Sequence, residues 1–547
     1  MIWQLLLVAL ALGAAYYRWS RRRLYKLAAE IPCLPHSYPV IGHAHIFAGS
    51  NEGKLVVVVV RWCWARRTTA GRAGASTGSR PRYRAYRTAT LSSDTHTSSL
   101  VAMKVNFSCG SLVLGAAYYR WSRRRLYKLA AEIPCLPDSY PVIGHAHIFA
   151  GSNEDIMQVL QKIGRISNQH EGLTSFWLAN RLCVGMTDPA AIEVVSKSCL
   201  DKDENVAKIF RTAIGNGSLF APVNIWYPRR KINAPFFNRK NLDQMVPVFD
   251  SKSSIMADLL RTEAGGGDFP IWKYVTTFTF DTVCETALNT EINMQKCSDH
   301  DYLLRAIDKC TQVMAKRMFH PWLHPDFIYK RLPVYKRYRH HLQRAYTFLE
   351  ENIRKKKEKI TESGLKNFKN NNELSHFIDV VIQSSGGLEK GYSDMELREE
   401  LLVFMVAGSD TSATAVSYTT VLLSRYPAVQ DKVYQELYEV FGASDRTVTA
   451  EDLPKLTYLE AVVKESLRLY PPVPIVLREV HGDTLLPSGT TLVDETTVMF
   501  NIWGTHRNPA YWAPDAEEFR PERFLRGPLP HPAMFVPFSH SVRNCLG

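Results

Sequence analysis

One cysteine near the C-terminal end of the chain has the surroundings of a metal ligand. Cys545 lies in the segment PFSHSVRNCLG, two residues after Arg543. A thiolate is a strong metal ligand, and a nearby arginine can neutralise an anionic group. The ten cysteines include no CxxC pair and no regular spacing, so neither a disulfide framework nor a structural zinc site is indicated. The choice is between a cofactor ligand and one more buried thiol in a reducing compartment, which is the expectation for most of the cysteines.

A second group of residues could handle protons. Gly408, Asp410 and Thr411 lie in AGSDTS (407–412), in the middle of an apolar stretch with helical period. A carboxylate linked to a hydroxyl can relay protons to a reacting group. The alternative is a helix kink, in which serine and threonine side chains bond back to backbone carbonyls. On its own, the hexapeptide favours the kink.

A third group could form an ion network. Glu465 and Arg468 lie three residues apart in KESLRLYPPVP, on one face of a predicted helix. The segment FRPERF adds Arg523. In isolation such a pair usually lies on a solvated helix surface and contributes little. It indicates a functional network only together with the other motifs.

The elements that would position these side chains are mostly helices. From residue 155 onward, amphipathic patterns of period 3.6 dominate, and strand-like runs such as TTLVDETTVMFN are few and short. The stretch 393–427 is unusually long for one helix; it begins at a possible capping box of Ser393 and Glu396 and ends at Pro427. The sequence therefore predicts a mainly α fold with a small β portion.

Charge is distributed unevenly along the chain. The formal net charge is +14, but residues 155–547, the main domain, contain equal numbers of acidic and basic residues. Residues 53–113 alone hold ten Lys or Arg and a single acid, Asp94. A neutral main domain argues against a role in binding nucleic acid. The chain is 46% hydrophobic, which supports a large core and excludes global disorder.

The N-terminal segment, residues 1–30, has the pattern of a membrane anchor. The apolar run IWQLLLVALALGAAYY is followed by RWSRRR. Because the positive charges follow the apolar run, an uncleaved signal anchor is favoured over a cleaved signal peptide. The positive-inside rule then places the main domain in the cytosol. A proline-rich hinge, residues 31–52, comes next.

A block of sequence is duplicated around an unrelated spacer. Residues 12–52 recur at 114–154 with one difference, His36 against Asp138. The spacer, residues 53–113, is basic and of low complexity, and it lacks sustained periodicity. It could bind a membrane or a partner, but two near-identical flanking copies favour a disordered or artefactual insertion.

Taken in order, the motifs resemble those of the cytochrome P-450 family, the haem-thiolate monooxygenases. The family's pattern is A/G-G-x-D/E-T-T/S, E-x-x-R, P-x-R-F and F-x-x-G-x-R-x-C-x-G. In this chain AGSDTS, ESLR, PERF and FSHSVRNCLG occur in that order, and the resemblance covers residues 114–547. The segments FTFDTVCETAL, HPWLHPDFIY and APFFNRKNLDQMVPVF are similar to the microsomal branch that includes fatty-acid ω-hydroxylases of insects and vertebrates.

The resemblance implies catalytic roles for the first two groups. Cys545 would be the thiolate ligand of the haem iron, and a thiolate favours cleavage of the O–O bond. Asp410 and Thr411 would relay protons toward the oxygen, and Gly408 would leave room for oxygen and substrate above the haem.

The resemblance also implies which residues hold the haem. WYPRR matches the family's W-x-x-x-R, whose arginine binds a haem propionate, and guanidinium suits carboxylates because it is permanently charged and bidentate. The residues assigned to haem contact are Trp226, Arg230, Arg478, Phe538 and Arg543. Those assigned to a structural charge network behind the haem are Glu465, Arg468 and Arg523.

The implied cofactor is haem b, and the implied partners are redox proteins. Ala407 stands where many ω-hydroxylases carry the glutamate that esterifies a haem methyl, so non-covalent haem is expected. Electrons would come from NADPH through NADPH-cytochrome P-450 reductase, with cytochrome b5 as an additional donor. The substrate would be an apolar small molecule, and the enzyme would lie at the endoplasmic reticulum membrane, held by a single N-terminal anchor with a cytosolic catalytic domain.

Two departures from the family pattern affect the cysteine. Ser541 stands where the family has glycine, and a serine adopts the positive φ of such a position at a cost of roughly 1 kcal/mol. The family continues beyond the position of Gly547 with a helix whose N-terminal amides face the thiolate. A chain that stops there is expected to support its ligand less well.

Three hypotheses follow. The first is a membrane-anchored monooxygenase that inserts one atom of O₂ into an apolar small molecule of the fatty-acid, hormone or xenobiotic class. The second is a non-catalytic, truncated or misassembled product of such a gene that cannot hold haem. The third is a haem-thiolate isomerase without external electrons, which the Asp410–Thr411 pair disfavours.

Overall fold

The structure, a computed structural model, describes residues 115–547 except 116, 298–300, 364–375 and 388–390. The predicted anchor (1–30), the first hinge copy (31–52) and the spacer (53–113) lie outside the described residues. Among the helices of the described ranges, none is both long enough and apolar enough to cross a membrane.

The chain divides into two compact units. Of the described residues, the smaller unit holds those before Arg123 together with His147–Ile156. Its helical residues expose Tyr118 and Trp121, whose ring centroids lie 6.2 Å apart. The larger unit consists of Arg123–Ala146 and Met157–Gly547 and contains every candidate site residue.

Helices form most of the described structure, so the predicted mainly α fold is confirmed. In chain order the α-helices are α1 (Arg124–Glu132), α2 (Asn153–Gln169), α3 (Pro189–Ser198), α4 (Glu204–Ile214), α5 (Val223–Asn233), α6 (Arg239–Arg261), α7 (Ile271–Leu288), α8 (Asp301–Phe319), α9 (Asp326–Tyr329), α10 (Pro333–Ser363), α11 (Phe377–Ser384), α12 (Asp394–Arg425), α13 (Pro427–Phe441), α14 (Thr457–Leu469), α15 (Ile502–Thr505) and α16 (Pro509–Trp512).

Within the described ranges, the β portion consists of a four-stranded sheet and a two-stranded ribbon. The strands are β1 (Leu173–Leu178), β2 (Arg181–Met186), β3 (Ile475–Glu479), β4 (Thr484–Leu485), β5 (Thr491–Leu492) and β6 (Thr497–Asn501). The sheet order is β1-β2-β6-β3, with only the β2–β6 pair parallel, and β4 pairs with β5. Strand β6, TVMFN, is buried along its whole length, which suits its β-branched and aromatic side chains. The sheet thereby joins a segment near residue 180 to segments beyond residue 470.

Helix α12 is the long helix that the sequence predicts. It begins at a capping box: the Ser393 hydroxyl accepts a hydrogen bond from the Glu396 amide, and the Glu396 carboxylate accepts one from the Ser393 amide. It ends at Arg425, and Pro427 opens α13, where a proline at the first helical position costs no hydrogen bond. Both predicted ends are confirmed.

An aromatic cluster ties α12 to the neighbouring elements. The Phe377 ring of α11 stacks on Phe404 of α12 with centroids 4.3 Å apart, and Phe236 meets both rings edge-on at 5.3 and 5.8 Å. Phe377 and Phe236 are each only 1% exposed. These edge-to-face and offset contacts add to the free energy gained by removing the rings from water.

Truncating the buried ring of this cluster should destabilise the protein strongly. We expect Phe377→Ala to lower the free energy of unfolding by about 3–5 kcal/mol, because the cavity adds to the lost burial. Phe327→Ala, which removes a ring that is 54% exposed, is the control and should change it by roughly 0.5 kcal/mol or less. Urea unfolding of both variants measures the difference. Equal effects would show that the cluster is not tightly packed.

Candidate functional site

Cys545 lies near the end of an irregular segment, residues 535–547, which we call the cysteine loop. The loop folds on itself: the amide of Ser539 donates to the carbonyl of Val536 at 3.0 Å, and the amide of Cys545 donates to the carbonyl of Phe538 at 2.9 Å. The second bond joins residues seven positions apart. It therefore fixes the backbone of the cysteine relative to the start of its own motif.

The exposure of the cysteines separates Cys545 from most of the others. Among the described cysteines, the buried ones are Cys183, Cys199, Cys284 and Cys310, and the exposed ones are Cys135, Cys297 and Cys545. Burial raises the pKa of the Cys183 thiol to about 11 and that of Cys310 to about 12, so those thiols are held neutral. Cys545 is thus an exposed cysteine on a loop that is closed by its own backbone hydrogen bonds, so a bound metal could reach it.

Two serines in the cysteine loop have left-handed backbone conformations. Ser541, which stands where the family pattern has glycine, has φ +67°. Ser539 has φ +65°, a second strained position that the sequence did not indicate. Each serine carries a Cβ into a region that L-residues avoid, so the loop is formed against a local conformational cost.

Two buried arginines lie at the cysteine loop: Arg543 is part of the loop, and Arg478 contacts it from strand β3. The Arg543 guanidinium lies 4.8 Å from the Trp226 ring centroid and donates to the carbonyls of Leu200, at 2.7 Å, and Ala221. Arg478 is 0% exposed and donates to the Arg543 carbonyl at 3.4 Å. The Nε atoms of both arginines are buried and have no hydrogen-bond partner.

Among the described residues, no carboxylate forms an ion pair with either arginine, although the charge of Asp201 acts to raise the pKa of Arg543. Burial lowers the pKa of each to about 10, and for Arg478 the charge of Arg543 contributes to that lowering. Lys202, which sequence reasoning missed, lies in the same electrostatic environment: burial and the charges of Arg478 and Arg543 hold its pKa well below the ordinary value. No motif in the sequence pointed to this lysine.

Arg230 binds the cysteine loop directly. Its guanidinium donates to the carbonyl of Asn544 at 2.9 Å, to the side-chain oxygen of Asn544 at 2.8 Å and to the carbonyl of Cys545 at 3.3 Å. The neighbouring Arg229 instead points toward α12 and pairs with Glu399 and Glu400 at 3.1 and 3.0 Å. The W-x-x-x-R register thus selects the arginine that reaches the loop.

These residues fit the haem that the family resemblance implies. Propionate groups are carboxylates, and they would provide acceptors for the unpartnered Nε atoms of the buried arginines. Phe538 is 53% exposed and Val542 58% exposed on the cysteine loop, and they would supply apolar surface beside the thiolate. The basic residues that would hold the propionates are Lys202, Arg230, Arg478 and Arg543.

Asp410 and Thr411 lie on α12, away from the cysteine loop in sequence. The Thr411 hydroxyl donates to the Ala407 carbonyl at 2.7 Å, which is the back-bonding of the kink hypothesis, yet α12 is helical from end to end. Asp410 is exposed, but desolvation by its neighbours, and then the like charge of Asp308, raises its pKa. Within the described ranges, no hydrogen bond or ion pair connects Asp410 or Thr411 to the cysteine loop.

Gly408 faces a neighbouring helix. A Cβ added there would lie 3.2 Å from Cγ2 of Val283, which belongs to α7. That separation is tighter than ordinary van der Waals contact, so close packing of α12 on α7 is one reason for a glycine. Its predicted role above the haem stays a prediction.

The third sequence group forms a buried network. Arg468 makes a bidentate pair with Glu465, with Nε–Oε2 and Nη2–Oε1 distances of 2.7 and 2.8 Å, and both side chains are 0% exposed. Arg523 donates from Nε to the same Glu465 carboxylate at 3.0 Å. The three residues that the sequence grouped are therefore brought together in the interior rather than on a solvated surface.

Relieving the strain at Ser541 should stabilise the cysteine loop. Glycine removes the left-handed penalty of about 1–2 kcal/mol but gains freedom in the unfolded chain. We therefore expect Ser541→Gly to raise the free energy of unfolding by about 0.5–1 kcal/mol. Ser541→Ala, which keeps the Cβ, is the matched control and should give no gain. Chemical denaturation measures both; a loss of stability in Ser541→Gly would refute the strain.

The chain is similar in sequence to known proteins over most of its length. The family model described as Cytochrome P450 matches residues 134–547. Cytochrome P450 4c21 of Blattella germanica is 33% identical over 429 residues, which is 77% of this chain and 84% of that protein. Cytochrome P450 4V2 of Homo sapiens is 30% identical over 455 residues, or 82% and 86% of the two chains.

A third relative, Cytochrome P450 4d2 of Drosophila melanogaster, is 32% identical over 433 residues, covering 75% of this chain and 83% of the relative. The family match includes the cysteine loop, both helices that carry the candidate motifs and the sheet. The resemblance that the motifs indicated is thereby confirmed: the chain belongs to the cytochrome P450 family and is a cytochrome P450 monooxygenase.

Proposed function

We propose that this cytochrome P450 uses NADPH-derived electrons to insert one oxygen atom of O₂ into an apolar small molecule, with Cys545 as the thiolate that would ligate the haem. The observation that carries the proposal is the exposed Cys545 thiol on a closed loop, held by Arg230 and lying beside buried arginines with unpartnered Nε atoms. A bound haem supplies the oxygen chemistry, and its thiolate ligand favours O–O cleavage.

The protein's own residues would perform three tasks. Arg230, Arg478 and Arg543 would bind and orient the cofactor carboxylates, with Lys202 as a fourth basic residue and Trp226 beneath Arg543. Asp410 and Thr411 on α12 accept and pass protons, since the carboxylate is raised in pKa and the hydroxyl has a free lone pair. The buried Glu465–Arg468–Arg523 network holds the segment that precedes the cysteine loop.

The finer details of the reaction follow from the same resemblance. The substrate class is a fatty acid, hormone or xenobiotic, with fatty acids suggested by the segments similar to ω-hydroxylases. The electron donor is NADPH-cytochrome P-450 reductase, with cytochrome b5 as an additional donor. Because Ala407 replaces the esterifying glutamate, we propose non-covalent haem b. An N-terminal anchor in residues 1–30 would hold the enzyme at the endoplasmic reticulum membrane.

Removal of the Cys545 sulfur should abolish thiolate ligation. The reduced, CO-bound protein is expected to show a Soret band at the thiolate position, and Cys545→Ser should lose it because a serine hydroxyl is not ionised at neutral pH. Cys297→Ser removes another exposed thiol and should keep the band. A folded wild-type protein without the band would support the alternative of a non-catalytic product that cannot hold haem.

The pH dependence of turnover should report Asp410. Its raised pKa places the acid limb of the kcat/KM profile at higher pH than an ordinary aspartate gives, since activity falls as the carboxylate is protonated. Asp410→Asn should remove this limb and reduce turnover by about 10²–10⁴-fold.

Asp308→Asn tests the cause of that shift. It removes a like charge and should move the limb to lower pH. Asp326→Asn, at the start of α9, is the control and should leave the limb in place. Steady-state assays of kcat/KM across the pH range compare all three variants. An unchanged acid limb in Asp410→Asn would exclude the Asp410 carboxylate as the titrating group.

A further inference from the structure

His506 connects two parts of the molecule that the mechanism treats separately. It follows α15 and is 0% exposed. The amide of Val536 donates to its Nε2 atom at 2.9 Å, and its Nδ1 atom lies 3.2 Å from the carbonyl of Arg468. An amide can only donate, so Nε2 must accept. The ring proton therefore resides on Nδ1, which donates to the Arg468 carbonyl.

On one side, His506 is bonded twice to the buried ion network. Besides the bond from Nδ1, its own carbonyl accepts a hydrogen bond from Nη1 of Arg468 at 2.7 Å. Arg468 is in turn fixed by its bidentate pair with Glu465. The position of the imidazole thus follows the position of the network.

On the other side, His506 is bonded to the cysteine loop. Val536 is the second residue of that loop, and its carbonyl accepts the amide of Ser539 at 3.0 Å. The ring of His506 also stacks on Phe535, with centroids 5.3 Å apart and an interplanar angle of 28°. Two residues further, Phe538 accepts the Cys545 amide. A short series of contacts therefore runs from Arg468 to the ligand cysteine.

The surroundings keep the imidazole neutral, as the acceptor role requires. Burial, and then the positive charges of Arg468 and Arg507, lower the pKa of His506 to about 3. Nε2 is consequently unprotonated throughout the physiological pH range, and its lone pair can accept the Val536 amide.

We propose that His506 is a positioning residue, whose Nε2 acceptor holds the cysteine loop in register with the buried Glu465–Arg468–Arg523 network and so fixes the position of the Cys545 sulfur. The proposal rests on the proposed thiolate function, but its first consequence concerns the backbone of the loop. Loss of the Nε2 acceptor should free the Val536 amide, whereas loss of the Nδ1 donor should not.

Two conservative variants separate the two ring nitrogens. His506→Gln places a side-chain oxygen near the position of Nε2 and can still accept from Val536. His506→Asn is one bond shorter, so its amide can still donate to the Arg468 carbonyl but cannot reach Val536. The matched control is His531→Asn. His531 also precedes Cys545 in the chain, and its Nδ1 atom accepts the Ala533 amide at 3.1 Å. Among the described residues it has no hydrogen bond to Glu465, Arg468 or Arg523.

The first measurement is amide hydrogen exchange of residues 536–545 in the full chain. In His506→Asn we expect the Val536 amide to exchange at least about tenfold faster than in the wild type, as for the loss of one buried hydrogen bond. In His506→Gln we expect it to exchange near the wild-type rate. His531→Asn should leave these amides unchanged. Equal acceleration in His506→Asn and His506→Gln would overturn the proposal, because the acceptor would then be irrelevant.

The second measurement is the Soret band of the reduced, CO-bound protein. We expect His506→Asn to shift the band from the thiolate position toward that of a neutral thiol ligand, with rescue in His506→Gln. A full thiolate band in His506→Asn would overturn the proposal. If wild-type protein shows no thiolate band while the exchange rates still separate Asn from Gln, the proposed function fails and the positioning of the loop by His506 stands.

Discussion

The bidentate pair between Arg468 and Glu465 is fully removed from water, so the surrounding groups must provide its remaining hydrogen-bond partners. A buried guanidinium must have its donors satisfied, or the desolvation cost of the charge exceeds the Coulombic gain. Arg468 meets this demand with the Glu465 carboxylate and with the carbonyls of His506, Ala516 and Glu518. The carbonyls belong to an irregular segment that has little regular secondary structure of its own. The ion pair therefore organises the segment that leads to the cysteine loop.

The same physical rule operates differently around two adjacent arginines. Arg229 is buried and pairs with Glu399 and Glu400 of α12; burial raises the pKa of Glu400 even though the charge of Arg229 lowers it. Arg230, one position later, donates to oxygens of Asn544 and Cys545 in the cysteine loop. The first arginine completes an internal network, and the second leaves positive charge beside the ligand. One turn of α5 thus serves both the interior and the site.

The parts of the structure that the sequence predicted are those with local causes. The α12 capping box depends on two residues three positions apart, and so does the pairing of Glu465 with Arg468. Ser541 could be anticipated as strained because its neighbours fix the motif register. Lys202 and His506 could not, because their roles come from contacts with residues that are 30 or more positions away, such as the Val536 amide. The packing of Gly408 on Val283 depends on a separate helix and was missed for the same reason.

Arg478 and Arg543, the two buried arginines at the cysteine loop, link the stability of the folded protein to the supply of its cofactor. Arg478 and Arg543 donate to backbone carbonyls and keep unpartnered Nε atoms, so a bound dianion would remove an electrostatic cost that the free chain bears. A ligand that binds only the folded state stabilises it in proportion to its concentration over its dissociation constant. The supply of cofactor would then control how much folded enzyme survives proteolytic quality control, independently of any effect on turnover.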